Sequence, residues 1–420
     1  MSSSPSTPRP DAACCDEFRA VSRRGLFTGA IAVAGATTIV GSAVVTAAPA
    51  MAASASSVLV VLSLRGAADG LSLVVPHGDP VYYQARPRIA IAKDQLLAAD
   101  AMFGLHPKLE PLLPLWNAGK LAAVHATGLP APNRSHFAAM EEVEDANPGS
   151  TTRQGWLNRL IGADTRTSPL QGFSIGGGVV PGSLFGDEPV MSAGSVQDVR
   201  ISGDDKWAVK DGRKRSLHTM WDAVPGPLGK AMRSTFGALN DFQPVKSAAD
   251  NSTAYPDTDL GHSLATVARI VRGDVGVEVL TVDQGDWDMH SDLGTLAWGQ
   301  MRQNADDLAR SVAAFMADLG TQTSKVTLVV LSEFGRRTVE NANYGLDHGF
   351  GNAMLVAGAG VKGGKVYANW PGLTLDDDAD LLVTTDYRSV LAEIVSSRFG
   401  ASTATVFPGF TPSPLGFMTT

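Results

Sequence analysis

Cysteine is almost missing from this 420-residue chain, which has two, Cys14 and Cys15. Both precede an apolar run, so the rest of the chain has no disulfide, no thiolate metal site and no cysteine nucleophile. Their position also rules out a lipid-bearing cysteine. A basic surplus is missing as well: 34 Lys and Arg stand against 42 Asp and Glu, a formal net charge of −8. With no basic stripe after the first fifty residues, the composition argues against a nucleic-acid partner. Charged residues are only 18% and hydrophobic ones 44%, a balance that excludes a disordered bulk. After residue 53 no apolar run is long enough to span a bilayer. Histidine is scarce at eight, so any clustering of it carries information.

What is present begins with Val21-Ser22-Arg23-Arg24-Gly25-Leu26-Phe27, followed by an uncharged Ala/Gly/Val stretch from Leu26 to Ala53. A paired arginine before a weakly apolar segment ending in small residues reads as a twin-arginine signal peptide over residues 1–52. Such cargo crosses the membrane folded, through the twin-arginine translocase, and is expected in a secreted or periplasmic compartment. The run is also long enough for a membrane anchor. Its Ala, Gly and Thr content favours cleavage, after Ala50 or Ala52, and the mature protein is expected to be free of the membrane.

Residues 53–420 read as one large α/β domain. Val58 to Leu64 is a short continuous apolar run, as in a strand buried on both faces. Further strands are expected at Leu121–Ala126, near Phe173, at Val277–Val282, Lys325–Leu331 and Ala353–Ala357. Helices are expected over His106–Ala118, Ala138–Glu144, residues 213–222 and 228–241, Leu260–Val271, Leu296–Leu319 and Asp386–Phe399. Alternating strands and helices predict a doubly wound, mostly parallel sheet with helices on both faces.

Ligand sites in such sheets form beyond the carboxyl ends of the strands. Acidic and histidine residues collect there: Asp69 after the first strand, Asp286-Trp287-Asp288-Met289-His290 after Val282, Glu333 and Arg336 after Leu331, and Asp347-His348 one loop later. Carboxylate and imidazole donors suit a divalent ion such as Zn, Mn, Mg or Ca. Ser135 stands where a helix begins, and reads either as a nucleophile favoured by the helix dipole or as a helix-capping serine. His136 reads as a metal ligand or as a proton donor. Arg336 is the arginine best placed to clamp an oxyanion.

The segments Leu64-Arg65-Gly66-Ala67-Ala68-Asp69-Gly70-Leu71, Gly104-Leu105-His106-Pro107, Arg134-Ser135-His136-Phe137, Asp286-Trp287-Asp288-Met289-His290, Ser332-Glu333-Phe334-Gly335-Arg336 and Asp347-His348-Gly349 together resemble the exported DUF1501 family. That family is placed in the alkaline phosphatase/sulfatase-like superfamily. The resemblance implies one or two divalent metals at the carboxyl edge of the sheet and phosphoryl or sulfuryl transfer through a serine. It implies Asp69 as the first-strand metal aspartate, Ser135 as nucleophile, Asp288 and His290 as a ligand pair, and His348 as a late ligand. Glu333-Phe334 stands where the superfamily has an Asp-His pair, so one imidazole is missing, which leans toward Mg, Mn or Ca.

Two functions are therefore expected. One is an exported metal-dependent hydrolase of small-molecule or polymeric phosphate or sulfate esters. The other is a non-catalytic binding module for an extracellular partner or polymer.

Overall fold

The computed structural model describes residues 54–164, 168–176, 179–202, 211–376 and 378–419, and the backbone of 37–40 and 43–46. The arginine pair Arg23-Arg24, both cysteines and the two candidate cleavage bonds lie outside the described residues.

Nine strands form the body of one mixed sheet: β1 (Val58–Leu64), β2 (Leu121–Gly128), β3 (Gly172–Ile175), β4 (Met191–Ala193), β5 (Val279–Gln284), β6 (Val326–Leu331), β7 (Asn352–Gly358), β8 (Val366–Tyr367) and β9 (Thr385–Asp386). Their spatial order is β4-β3-β5-β1-β6-β7-β2-β8, with β9 also on β2. β1 pairs in parallel with β5 and β6, and β3 in parallel with β5 and β4. Only β7 among these nine runs against its neighbours, β6 and β2. A hairpin of Thr37–Val40 and Ala43–Thr46 extends the β4 edge, within the stretch expected to be a signal peptide.

The apolar run of β1 is buried along its whole length. Val58, Val60, Leu62 and Leu64 enter one core and Leu59 and Val61 the other. That alternation follows from the two-residue period of a strand. One face is covered by α2 (Asp259–Gly273) and α3 (Gln300–Asp318). The opposite face is covered by α1 (His136–Asp145) and α4 (Tyr387–Phe399). α2 shows why such a segment is helical: Thr258 caps Gly261 N, Asp259 sits in the first turn and Arg272 in the last. Its buried stripe includes Leu260, Leu264, Val267 and Val271, and each such side chain stabilises by about 1.5–3 kcal/mol.

Two expected helices change shape. The stretch after His106 is a 3-10 turn over Pro107–Leu112 followed by a short helix over Leu113–Asn117, because Pro111 and Pro114 remove backbone donors. The helix expected from Leu296 begins only at Gln300. Gly299 has φ +113°, and a Cβ there would meet Gly294 Cα at 2.5 Å, so the preceding loop folds tightly on itself. β4, β8 and β9 were not expected from the sequence; they have three, two and two residues, too few to show a pattern.

Candidate metal centre

The carboxyl ends of β1, β5 and β6 point to one edge of the sheet. β7 runs the other way, so its amino end reaches the same edge, carrying His348 four residues before it. α1 begins there too, with His136 as its first residue. Five segments far apart in sequence thus meet.

Ligand-type atoms of His136, Asp288 and His348 all lie within 4.8 Å of one another. His348 Nε2 stands 3.0 Å from His136 Nε2 and 2.9 Å from His290 Nε2. Asp288 Oδ1 lies 3.2 Å from His290 Nε2, 3.5 Å from His348 Nε2 and 3.6 Å from His136 Nε2. Three imidazole nitrogens therefore gather around one carboxylate oxygen, four donor atoms in all.

The far side of each ring explains why they gather. His136 Nδ1 is 2.8 Å from Glu333 Oε1, His290 Nδ1 is 3.0 Å from Asp347 Oδ1, and His348 Nδ1 is 2.9 Å from the Arg134 carbonyl oxygen. All three partners are acceptors, so each Nδ1 carries the hydrogen and donates. In the neutral ring the Nε2 atoms are then lone pairs, aimed at one another and at a carboxylate. Such an array is repulsive unless a cation sits in it, and donors around a tetrahedral ion would stand roughly 3.3 Å apart. The residues present fit a divalent ion. Imidazole held by a carboxylate or carbonyl on its other nitrogen is the usual support of a metal ligand.

Electrostatics agree. Burial alone would lower the pKa of His136, but contacts with Asp288 and Glu333 outweigh it and raise the value to about 9. Burial also opposes charge on His290, and Asp288 and Asp347 raise it nonetheless. His348 is held below the usual imidazole range, by burial first and then by the charges of Arg336, His136 and His290. Burial works against the Asp288 carboxylate too, yet three imidazoles and Arg336 hold it far below the usual carboxylate range. The site attracts positive charge and keeps its carboxylate ionised.

The structure sorts the remaining expected site residues. Glu333 is 3% exposed and touches His136 Nδ1, Gly66 N at 2.9 Å and Ser332 Oγ at 2.9 Å. It orients an imidazole instead of facing the donor cluster. Asp347 does the same for His290. Asp69 is not part of the cluster: Arg86 Nη1 and Nη2 engage its two oxygens at 2.6 and 3.0 Å, in full burial. Arg336 is not an open oxyanion clamp. It is 1% exposed and donates to the carbonyls of Ala67, Leu346, Gly66 and Trp287 and to Asp288 Oδ1 at 2.6 Å. Its charge is spent knitting three loops together. His136, which the sequence left between two roles, is the third imidazole of the cluster.

Ser135 stands at the N-cap position of α1, and its hydroxyl makes no capping hydrogen bond. Its neighbours on both sides serve the cluster, Arg134 through its carbonyl and His136 through its ring. Two contributors had no signal in the sequence. The Arg134 carbonyl is invisible because any residue has one. Gly66 has φ +110°, and a Cβ there would meet Asp288 N at 2.5 Å, so the first loop can touch the Asp288 loop only with glycine.

Residues 116–394 match the family described as "Protein of unknown function (DUF1501)". The chain belongs to that family. No curated protein matches it. Every residue of the donor cluster in this DUF1501 chain, and every acceptor behind it, falls inside the matched span.

Proposed function

We propose that this DUF1501 protein is an exported, metal-dependent hydrolase of phosphate or sulfate esters, with an alkaline phosphatase-like arrangement of its sheet. The convergence of His136, His290, His348 and Asp288, each ring held from behind, carries the reading. A nitrogen-rich donor set suits Zn or a similar borderline ion better than Mg or Ca. A divalent ion bound there would polarise an ester oxygen and help a hydroxyl to ionise.

The chain's own residues divide the remaining work. Ser135 is the nucleophile candidate, presented at the start of α1 with a hydroxyl not used as a cap; free backbone N–H groups of a helix's first turn favour an anion there. Glu333, Asp347 and the Arg134 carbonyl fix the tautomers of the three imidazoles. Arg336 holds Asp288 in register with Gly66. Export follows the twin-arginine reading of Arg23-Arg24, since that route passes folded, metal-loaded cargo; no helix among the described residues is long and apolar enough to cross a membrane.

A second reading, a non-catalytic module binding an extracellular partner or polymer, draws support from the arginines. Arg65 pairs with Glu144 and Asp283, Arg134 with Asp380 and Arg337 with Asp378, so charge near the site is already compensated. Metal content of the mature protein, purified without chelator, separates the two when combined with a phosphatase and sulfatase panel. Metal with turnover lost in Ser135→Ala supports the hydrolase. Metal without turnover on any ester supports the binding module.

A further inference from the structure

The chain is acidic as a whole, yet one helical hairpin on its surface is basic and has an uncovered apolar tip. Its arms are the helices Gly212–Trp221 and Gly226–Asp241. From Gly212 to Asn240 five Lys and Arg stand against a single acid, Asp222. We propose that this hairpin docks the exported protein onto a membrane surface of anionic phospholipid, lying in the interface without crossing it. The hairpin shares no residue with the donor cluster, so the proposal stands apart from the hydrolase reading.

Specific contacts hold the tip in shape. Arg233 Nη1 donates to the carbonyls of Trp221, Asp222 and Val224 at 3.4, 3.1 and 2.9 Å, closing the end of the first helix. Gly226 has φ +82° and makes the turn between the arms. A Cβ at Gly229 would stand 2.0 Å from the Val224 oxygen, so the second arm closes only with glycine there. Leu217 packs on the core, and the His218 ring lies 4.2 Å from that of Phe236. These contacts fix one side of the first helix and turn the other outward.

Arg213, Ser216 and Met220 follow one another on that outward side, and all three are exposed. Met220 and Leu228 are 62% and 50% exposed, and Ala223, Pro225 and Pro227 between them are exposed as well. Single apolar residues at a surface are ordinary, but a run of them at one turn marks an interaction site. Charge selects the occupant. Arg213, Arg215 and Lys230 are exposed and form no ion pair among the described residues. Asp222 is turned back onto His218 Nδ1 at 3.0 Å. Arg213 and Met220 stand about 10 Å apart along the helix axis, so cation and apolar group reach one surface together. An apolar tip flanked by uncompensated cations complements acyl chains behind anionic headgroups. A soluble polyanion would engage the cations alone and leave Met220 and Leu228 in water. No helix among the described residues can cross a membrane, which leaves the interface as the place of contact.

The test is co-sedimentation of the mature chain with vesicles of phosphatidylcholine alone and of phosphatidylcholine mixed equally with phosphatidylglycerol. Binding is expected to the mixed vesicles only, and it should weaken as salt is raised. Each neutralised cation should weaken it about fivefold, so Arg213→Gln/Lys230→Gln should lose roughly twentyfold to thirtyfold. Met220→Ser/Leu228→Ser should lose at least about tenfold at unchanged charge. All four positions are exposed, so circular dichroism and metal content should match the parent in both variants. Equal binding to the two kinds of vesicle, or binding to neither, overturns the proposal. A serine variant that binds as the parent does, with soluble polyphosphate competing in both, would mark an anion site without lipid and overturn it too. Self-association of the parent that is lost in the serine variant, without vesicle binding, would assign the tip to a second copy of the chain instead.

Discussion

Glu333 Oε1 lies 2.8 Å from His136 Nδ1 and, at the same oxygen, 2.9 Å from the backbone amide of Gly66. One buried carboxylate oxygen thereby ties the end of β6 to the start of α1 and to the loop after β1. It turns His136 so that Nε2 faces His348 and Asp288. The carboxylate expected to ligate a metal directly instead supports an imidazole of the donor cluster.

Glu333→Gln therefore should not abolish metal binding. Loss of such a supporting group weakens metal affinity by about tenfold to a hundredfold. Asp288→Ala/His348→Ala should remove stoichiometric metal altogether. Competition against a chromophoric chelator gives both numbers, and equal affinities for Glu333→Gln and the parent would contradict the orienting role.

Asp69→Ala is expected to leave metal affinity unchanged and to destabilise by about 3–5 kcal/mol, because the fully buried Arg86 loses its counter-charge. Burial raises the Asp69 pKa, but Arg86 outweighs it and the net shift is downward. The stabilisation is then fully present above the unfolded carboxylate value of about 3.9 and is lost as pH falls through the lower folded value. Urea midpoints measured downward from pH 6 should fall with a component missing in Asp69→Asn. A metal loss in Asp69→Ala at constant fold would return Asp69 to the site.

Arg336→Ala should behave as a folding defect, not as a substrate defect. Removing it leaves the carbonyls of Ala67, Gly66 and Leu346 short of a donor in a buried place, at about 1–3 kcal/mol for each that stays unsatisfied. The expected reading is a Tm lowered by many degrees together with metal loss, since Asp288 loses its partner. A native Tm with only KM raised would instead mark an oxyanion clamp.

Ser135→Ala is predicted to cost under about 0.5 kcal/mol, below the usual 0.5–2 kcal/mol of a capping serine, because the hydroxyl does not cap α1. If Ser135 is the nucleophile, turnover falls by orders of magnitude at unchanged Tm. A Tm drop of a capping size with turnover intact would make it a structural residue.

The periodicity of apolar residues was enough to place β1, β5, β6 and the helices that cover them, because an unbroken run such as Val58–Leu64 has no other way to bury itself. Scarce histidines at the ends of strands were enough to place His290 and His348 in one region. Composition and the absent basic surplus bounded the partners. The helix boundaries near Pro111 and Gly299 slipped because backbone geometry overrode the apolar pattern.

What the sequence determined by itself is the kind of fold and the short roll of residues able to carry chemistry. Which of them meet was decided only by tertiary structure. Asp69 and Asp288 look alike as acidic residues after strands, but Arg86 arrives from seventeen residues on to occupy the first, while three imidazoles surround the second. Glu333 and His136 are 197 residues apart, and no local pattern encodes their pairing. Donor and supporter differ only in which atom faces inward, a choice made by the packing of α1, β6 and β7 at one edge of the sheet.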